Sequence, residues 1–181
     1  MSEPASRASD AAEQARAYVA SLEAALGARD PMTVLGETPA ALRRAVAGLS
    51  AEQQGAPERS GKWSVRQVVQ HLADSELVGG FRFRMVVAHD RPTLPGFDQD
   101  LWADRLGYHD TDIEAALLDF TTLRQANLRL LRRAAPADLR RVMLHAERGE
   151  ESVTQMIRMY AGHDLVHLRQ IARIRQAIGV P

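Results

Sequence analysis

His163 and His167 stand four residues apart in the segment YAGHDLVHLRQI. On a helix this spacing sends both imidazoles from one face, close enough for two ring nitrogens to share a metal ion. The same face runs back through Tyr160 and Met156 and forward through Gln170 and Ile174, which makes it the inward stripe of an amphipathic helix. Two imidazoles on such a stripe can also be satisfied by carboxylates or carbonyls across a core, so the pair alone leaves both readings open. HDLVH has the outline of the H-E-x-x-H zinc motif, with Asp164 in the place of the general-base glutamate. That comparison fails, because no His, Asp or Glu follows His167 before Pro181 and the downstream third ligand is missing.

A third ligand must therefore come from upstream. His71 is the best candidate, about two turns into a helix opened by Ser64 and at the edge of its apolar face; the alternative is a lone histidine facing solvent. Three histidines with no cysteine leave a coordination position open, as in catalytic rather than structural zinc sites. His89, His109 and His145 read as loop or helix-end residues with no role.

The elements that must position these residues are helices. Ala, Leu, Arg, Gln and Glu dominate while β-branched and aromatic residues are sparse, so the chain reads as all-α. An Ala-rich helix is expected from Asp10 to Leu26, stopping at Gly27, behind a flexible stretch over residues 1–9. Thr38 and Pro39 read as a cap plus first-turn proline opening a second helix through Leu49. Ser64 with Gln67, Thr111 with Glu114, and Ser152 with Gln155 read as capping boxes for the three helices that follow. Between the second and third main bundle helices, Asp90 to Tyr108 forms a long loop punctuated by Pro92, Pro95, Gly96 and Gly107. Each cap is followed by an apolar stripe of helical period, the pattern of a four-helix bundle.

Composition narrows the function classes. The 181 residues suit one domain, expected over residues 10–181. The 23 Lys and Arg balance the 23 Asp and Glu, so no net field would draw in nucleic acid or an anionic membrane surface. No apolar run reaches the roughly 20 residues of a membrane span and the polar amino terminus lacks a signal-peptide core, so a cytoplasmic location is expected. The absence of cysteine removes disulfides and any protein-borne sulfur nucleophile.

Three segments, GKWSVRQVVQHLADSE, PTLPGFDQDLW and YAGHDLVHLRQI, give the chain a resemblance to the DinB superfamily and, within it, to the YfiT group of metal-dependent hydrolases. Together they span roughly Gly61 to Ile174. The resemblance implies a metal triad at His71, His163 and His167, a four-helix bundle with non-sequential helix order, one zinc or nickel ion, and a homodimer. Trp63, Arg84, Asp98, Asp100 and Trp102 fall in the matching segments, where pocket-mouth and purely structural roles explain them equally well.

Three functions follow from an open three-histidine metal centre. The first is transfer of a low-molecular-weight thiol, such as bacillithiol or mycothiol, to an electrophile through a metal-bound thiolate, the activity that characterised relatives imply. The second is hydrolysis by metal-bound hydroxide, for which only Asp74, Glu76 and Asp164 lie near the ligands in sequence as general bases. The third is a non-catalytic, stress-related metal-binding dimer. Carboxylates on adjacent helix positions can point away from the metal, which favours thiol transfer. The expected partners are a small-molecule substrate, such a thiol and a second copy of the chain.

Overall fold

The computed structural model describes residues 4–180. Its long helices are α1 (Pro4–Leu26), α2 (Pro31–Val46), α4 (Val65–Ala88), α6 (Ile113–Arg133) and α8 (Val153–Ala177), with short helices α3 (Ala51–Gly55), α5 (Gln99–Arg105) and α7 (Pro136–Leu139) between them. The expectation for residues 1–9 falls partly outside the described residues; α1 begins at Pro4.

Helices α2, α4, α6 and α8 close the bundle. α2 packs on α6 and α8, and α4 packs on the same two, so the ring runs α2, α6, α4, α8 and of its neighbours only α4 and α6 are consecutive bundle helices; α1 lies along α8. The capping boxes of α4 (Ser64, Gln67) and α8 (Ser152, Gln155) form as expected, each with reciprocal bonds between side chain and backbone. Two other expected starts move. α2 opens ahead of Pro39, at Pro31, where Asp30 accepts from the Thr33 amide. Pro39 is accommodated inside α2, and the Thr38 hydroxyl donates to the Val34 carbonyl one turn back. α6 is capped by Asp112, whose carboxylate accepts from the Glu114 and Ala115 amides, while Thr111 donates to the Tyr108 carbonyl.

The Asp90 to Tyr108 connection carries strand β1 (Thr93–Leu94) and α5, then a 3-10 turn at Tyr108–Asp110. β1 pairs in parallel with β2 (Val142–His145), which pairs antiparallel with β3 (Gly149–Ser152). This small sheet is not apparent in the helix-period reading. Its register sets Leu94 beside His145, and so ties the long connection to the hairpin that leads into α8.

The apolar core falls into two clusters. One includes Leu26, Val34, Phe83, Leu128, Met143 and Met156. The other includes Leu42, Val69, Leu72, Leu117, Phe120 and Ile171. A polar layer lies between them: Glu76 falls between Leu72 and Phe83 on α4, Arg124 between Phe120 and Leu128 on α6, and Asp164 between Ala161 and Ile171 on α8. Arg124 is 2% exposed and donates to the Leu35 carbonyl of α2, to Glu76 of α4 and, with two nitrogens, to Asp164 of α8. One side chain thus ties together all four bundle helices. Burial alone would lower its pKa, but Asp164 and then Glu76 outweigh that and raise it, so the guanidinium stays charged.

Candidate metal centre

His71 projects from α4, and His163 and His167 from α8, one turn apart. The packing of α4 against α8 brings the three rings together. His163 Nε2 lies 3.1 Å from His71 Nε2 and 3.1 Å from His167 Nε2, and one nitrogen from each of the three falls within 4.8 Å of the others. His71 is buried and the other two are partly buried.

Hydrogen bonding alone does not account for this arrangement. Gln170 Oε1, an acceptor, lies 2.8 Å from His167 Nδ1, which places the His167 proton on Nδ1 and leaves its Nε2 a bare lone pair facing the cluster. His163 Nε2 can hold only one proton for its two neighbours, and His71 Nδ1 has no partner among the described residues. A tetrahedral ion with bonds of about 2.0–2.1 Å separates its ligand atoms by about 3.3 Å, close to both observed separations. The donor set fits such an ion, and the His167–Gln170 bond is the outer contact that orients metal-ligating imidazoles.

The electrostatics agree. Burial, then the neighbouring His167, pushes His71 down to about 3. Burial and the other two imidazoles hold His163 well below the usual histidine range, and burial lowers His167. Near neutral pH all three are uncharged, the state in which imidazole ligates metal.

The carboxylates nearest the ligands in sequence are all engaged elsewhere. Asp74 accepts from the Tyr108 hydroxyl at 2.5 Å and from Gln70. Glu76 accepts from Arg124 and Asn127. Asp164, next to His163, turns into the bundle toward Arg124. Trp63 and Phe97 flank the His71 ring at 5.0 and 6.4 Å, and Trp102 backs Phe97 at 4.7 Å.

A cavity of about 620 Å³ opens beside His71 and His163. Of the five residues left between pocket and structural roles, only Asp98 lines it, and its side chain caps α5. Arg84 donates to the Gly80 carbonyl and to Asn127. The cavity also reaches Arg82, Tyr160, His145 and Glu147. His145, assigned no role from the sequence, is 3% exposed at the end of β2. The turn glycine Gly149, four residues after His145, is the weak sequence signal for the hairpin that places it.

The model of the DinB superfamily matches residues 35–171, a span that holds all three histidines. The chain belongs to the DinB superfamily. Among its DinB relatives is a Bacillus licheniformis protein, 35% identical over 148 residues that cover 80% of this chain and 83% of the relative. A second, from Oceanobacillus iheyensis, is 33% identical over 138 residues, 76% of this chain and 80% of the relative. Both bear the name "Putative metal-dependent hydrolase". Among solved structures, YfiT from Bacillus subtilis superimposes with a TM-score of 0.79 at 27% identity, covering 83% of this chain and 87% of YfiT. It is described as "a probable metal-dependent hydrolase with an unusual four-helix bundle topology", and the bundle of α2, α6, α4 and α8 in this chain matches it in fold.

Proposed function

We propose that His71, His163 and His167 hold one divalent ion, zinc or nickel, and that this DinB protein transfers a low-molecular-weight thiol to an electrophile. A divalent ion on three neutral imidazoles keeps its charge and lowers the pKa of a thiol or water that it binds. The observation that carries the choice of thiol is the engagement of Asp74, Glu76 and Asp164 with Tyr108, Arg124 and Asn127. A thiol, acidic enough to ionise at a metal near neutral pH, needs no positioned carboxylate, whereas water attack ordinarily does. The chain has no cysteine, so the sulfur must arrive with a cosubstrate. Trp63 and Phe97 shield His71, and Gln170 fixes the His167 tautomer.

Hydrolysis is the second reading. It is favoured by the names of the relatives and by Glu147, an exposed carboxylate on the cavity wall with no ion-pair partner among the described residues. The test is to incubate metal-loaded protein with a panel of low-molecular-weight thiols and a generic electrophile, following the loss of free thiol. Metal-dependent loss that vanishes in His163→Ala is expected. No loss, together with metal-dependent ester cleavage that falls in Glu147→Gln, would put hydrolysis in its place. A homodimer belongs to the same proposal: Leu77 and Phe81 on α4 and Leu118 on α6 are large exposed apolar side chains that it would cover.

A further inference from the structure

The wall of the cavity away from the three histidines is built from groups that the metal chemistry does not use. Arg82 lines it at 6% exposure. Its guanidinium donates to the Pro95 carbonyl at 2.7 Å and interacts with the Tyr160 hydroxyl, yet it forms no ion pair with any carboxylate among the described residues. A guanidinium so deeply buried ordinarily has an anionic partner, because its desolvation is otherwise uncompensated. The other cavity arginine, Arg148, is already neutralised by Glu151. Glu147 is exposed and does not pair with Arg82.

His145 stands on the same wall, and Arg82, Arg148, Glu147 and Glu151 all act on its ring. Its Nδ1 accepts from the Glu147 and Arg148 amides at 3.2 and 3.4 Å, so the neutral ring carries its proton on Nε2. That Nε2–H is buried and has no acceptor among the described residues. A buried donor without a partner costs about 1–3 kcal/mol, and such groups in a cavity wall mark where a ligand atom belongs.

We propose that Arg82 and His145 form a carboxylate-binding subsite, and that a substrate or thiol cosubstrate of this protein carries a carboxylate group held there while its reacting end lies at the three histidines. One guanidinium without a counter-charge and one neutral N–H match a monoanion in charge and donor number, and a planar carboxylate suits the arginine fork. The main chain at Pro95, fixed by Arg82, and Gly96 make the rim of the subsite. A Cβ on Gly96 would meet Glu147 Oε1 at 3.1 Å and His145 Cε1 at 3.4 Å, so the loop lies directly on these side chains. The proposal rests on the reading that this cavity is the substrate site, and it is independent of whether thiol transfer or hydrolysis takes place there.

The test uses hexanoate and hexanamide, which differ in charge and not in shape, titrated calorimetrically into wild-type protein and variants whose folding is checked by circular dichroism. The wild type is expected to bind the acid at least about tenfold more tightly than the amide, as charge-assisted bonds require. Arg82→Gln is expected to bring the two affinities together. His145→Phe should weaken the acid by about fivefold or more, and His145→Gln, which restores a donor near the Nε2 position, should recover part of it. In nitrogen-15 spectra the His145 Nε2–H resonance should move with hexanoate and not with hexanamide. Equal affinity for acid and amide, or discrimination that survives Arg82→Gln, would overturn the proposal. So would discrimination that is lost in His163→Ala but kept in Arg82→Gln, since the carboxylate would then be held at the three histidines. Absence of any turnover would count against the proposed reaction and leave these binding results to stand on their own.

Discussion

At the residue scale, Arg124 carries the heaviest structural consequence. Its loss leaves Glu76 and Asp164 facing each other inside the bundle with no cation between them. Removing one member of a buried ion network costs about 3–5 kcal/mol. Arg124→Ala should therefore lower the midpoint of urea unfolding by that equivalent, whereas Arg43→Ala, whose bond to Glu114 is exposed, should change it by less than about 1 kcal/mol. The residues of the candidate centre were unequally visible beforehand. His163 and His167 announce themselves because both imidazoles sit on one helix, where spacing fixes geometry. His71 is 92 positions from His163, and only tertiary packing or likeness to a family joins them. His145 could not be found from helical spacing, because a four-residue strand places it, while Arg82 and Tyr160 of the same cavity wall come from other elements.

At the element scale, capping chemistry was readable where the cap and its partner three residues on bond reciprocally, as at Ser64 and Ser152. It misled where a better acceptor stood close by: Asp30 starts α2 ahead of Thr38, and Asp112 displaces Thr111. Proline inside α2 is tolerated although proline usually marks a boundary. Ser152→Ala should cost about 1 kcal/mol by loss of the cap on the helix that carries two of the three histidines, read as a fall in the thermal midpoint. The junction of α1 with α8 is more sensitive. A Cβ at Gly162 would lie 2.2 Å from the Leu22 carbonyl oxygen, a backbone atom that no rotamer change can move. Gly162→Ala should therefore cost roughly 1–3 kcal/mol and raise amide exchange along α1.

At the scale of the whole molecule, the buried imidazoles tie stability to pH. Burial, then Arg148, holds His145 down to about 4 in the folded chain, with Arg82 acting in the same direction and Glu151 and Glu147 opposing. Between its ordinary value of 6.5 and about 4 the unfolded chain takes up a proton that the folded chain refuses, so stability falls as pH falls through that window. The unfolding free energy of wild type should accordingly fall relative to that of His145→Phe from pH 7 to pH 4. No helix among the described residues is long and apolar enough to cross a membrane, and the four-helix ring is closed by two apolar clusters on either side of the Arg124 layer. That layer holds the α4 and α8 backbones in the register that brings His71 to His163. Metal binding to the folded chain alone should raise its thermal midpoint, by the equivalent of about 2.7 kcal/mol when free metal is a hundredfold above Kd. The most direct test of the centre is metal analysis of the purified protein beside His71→Ala and His163→Ala. One divalent ion per wild-type chain, and none in either variant while the helical circular dichroism is kept, is the predicted result. A wild-type chain that retains no ion after loading, or variants that retain it in full, would contradict the account.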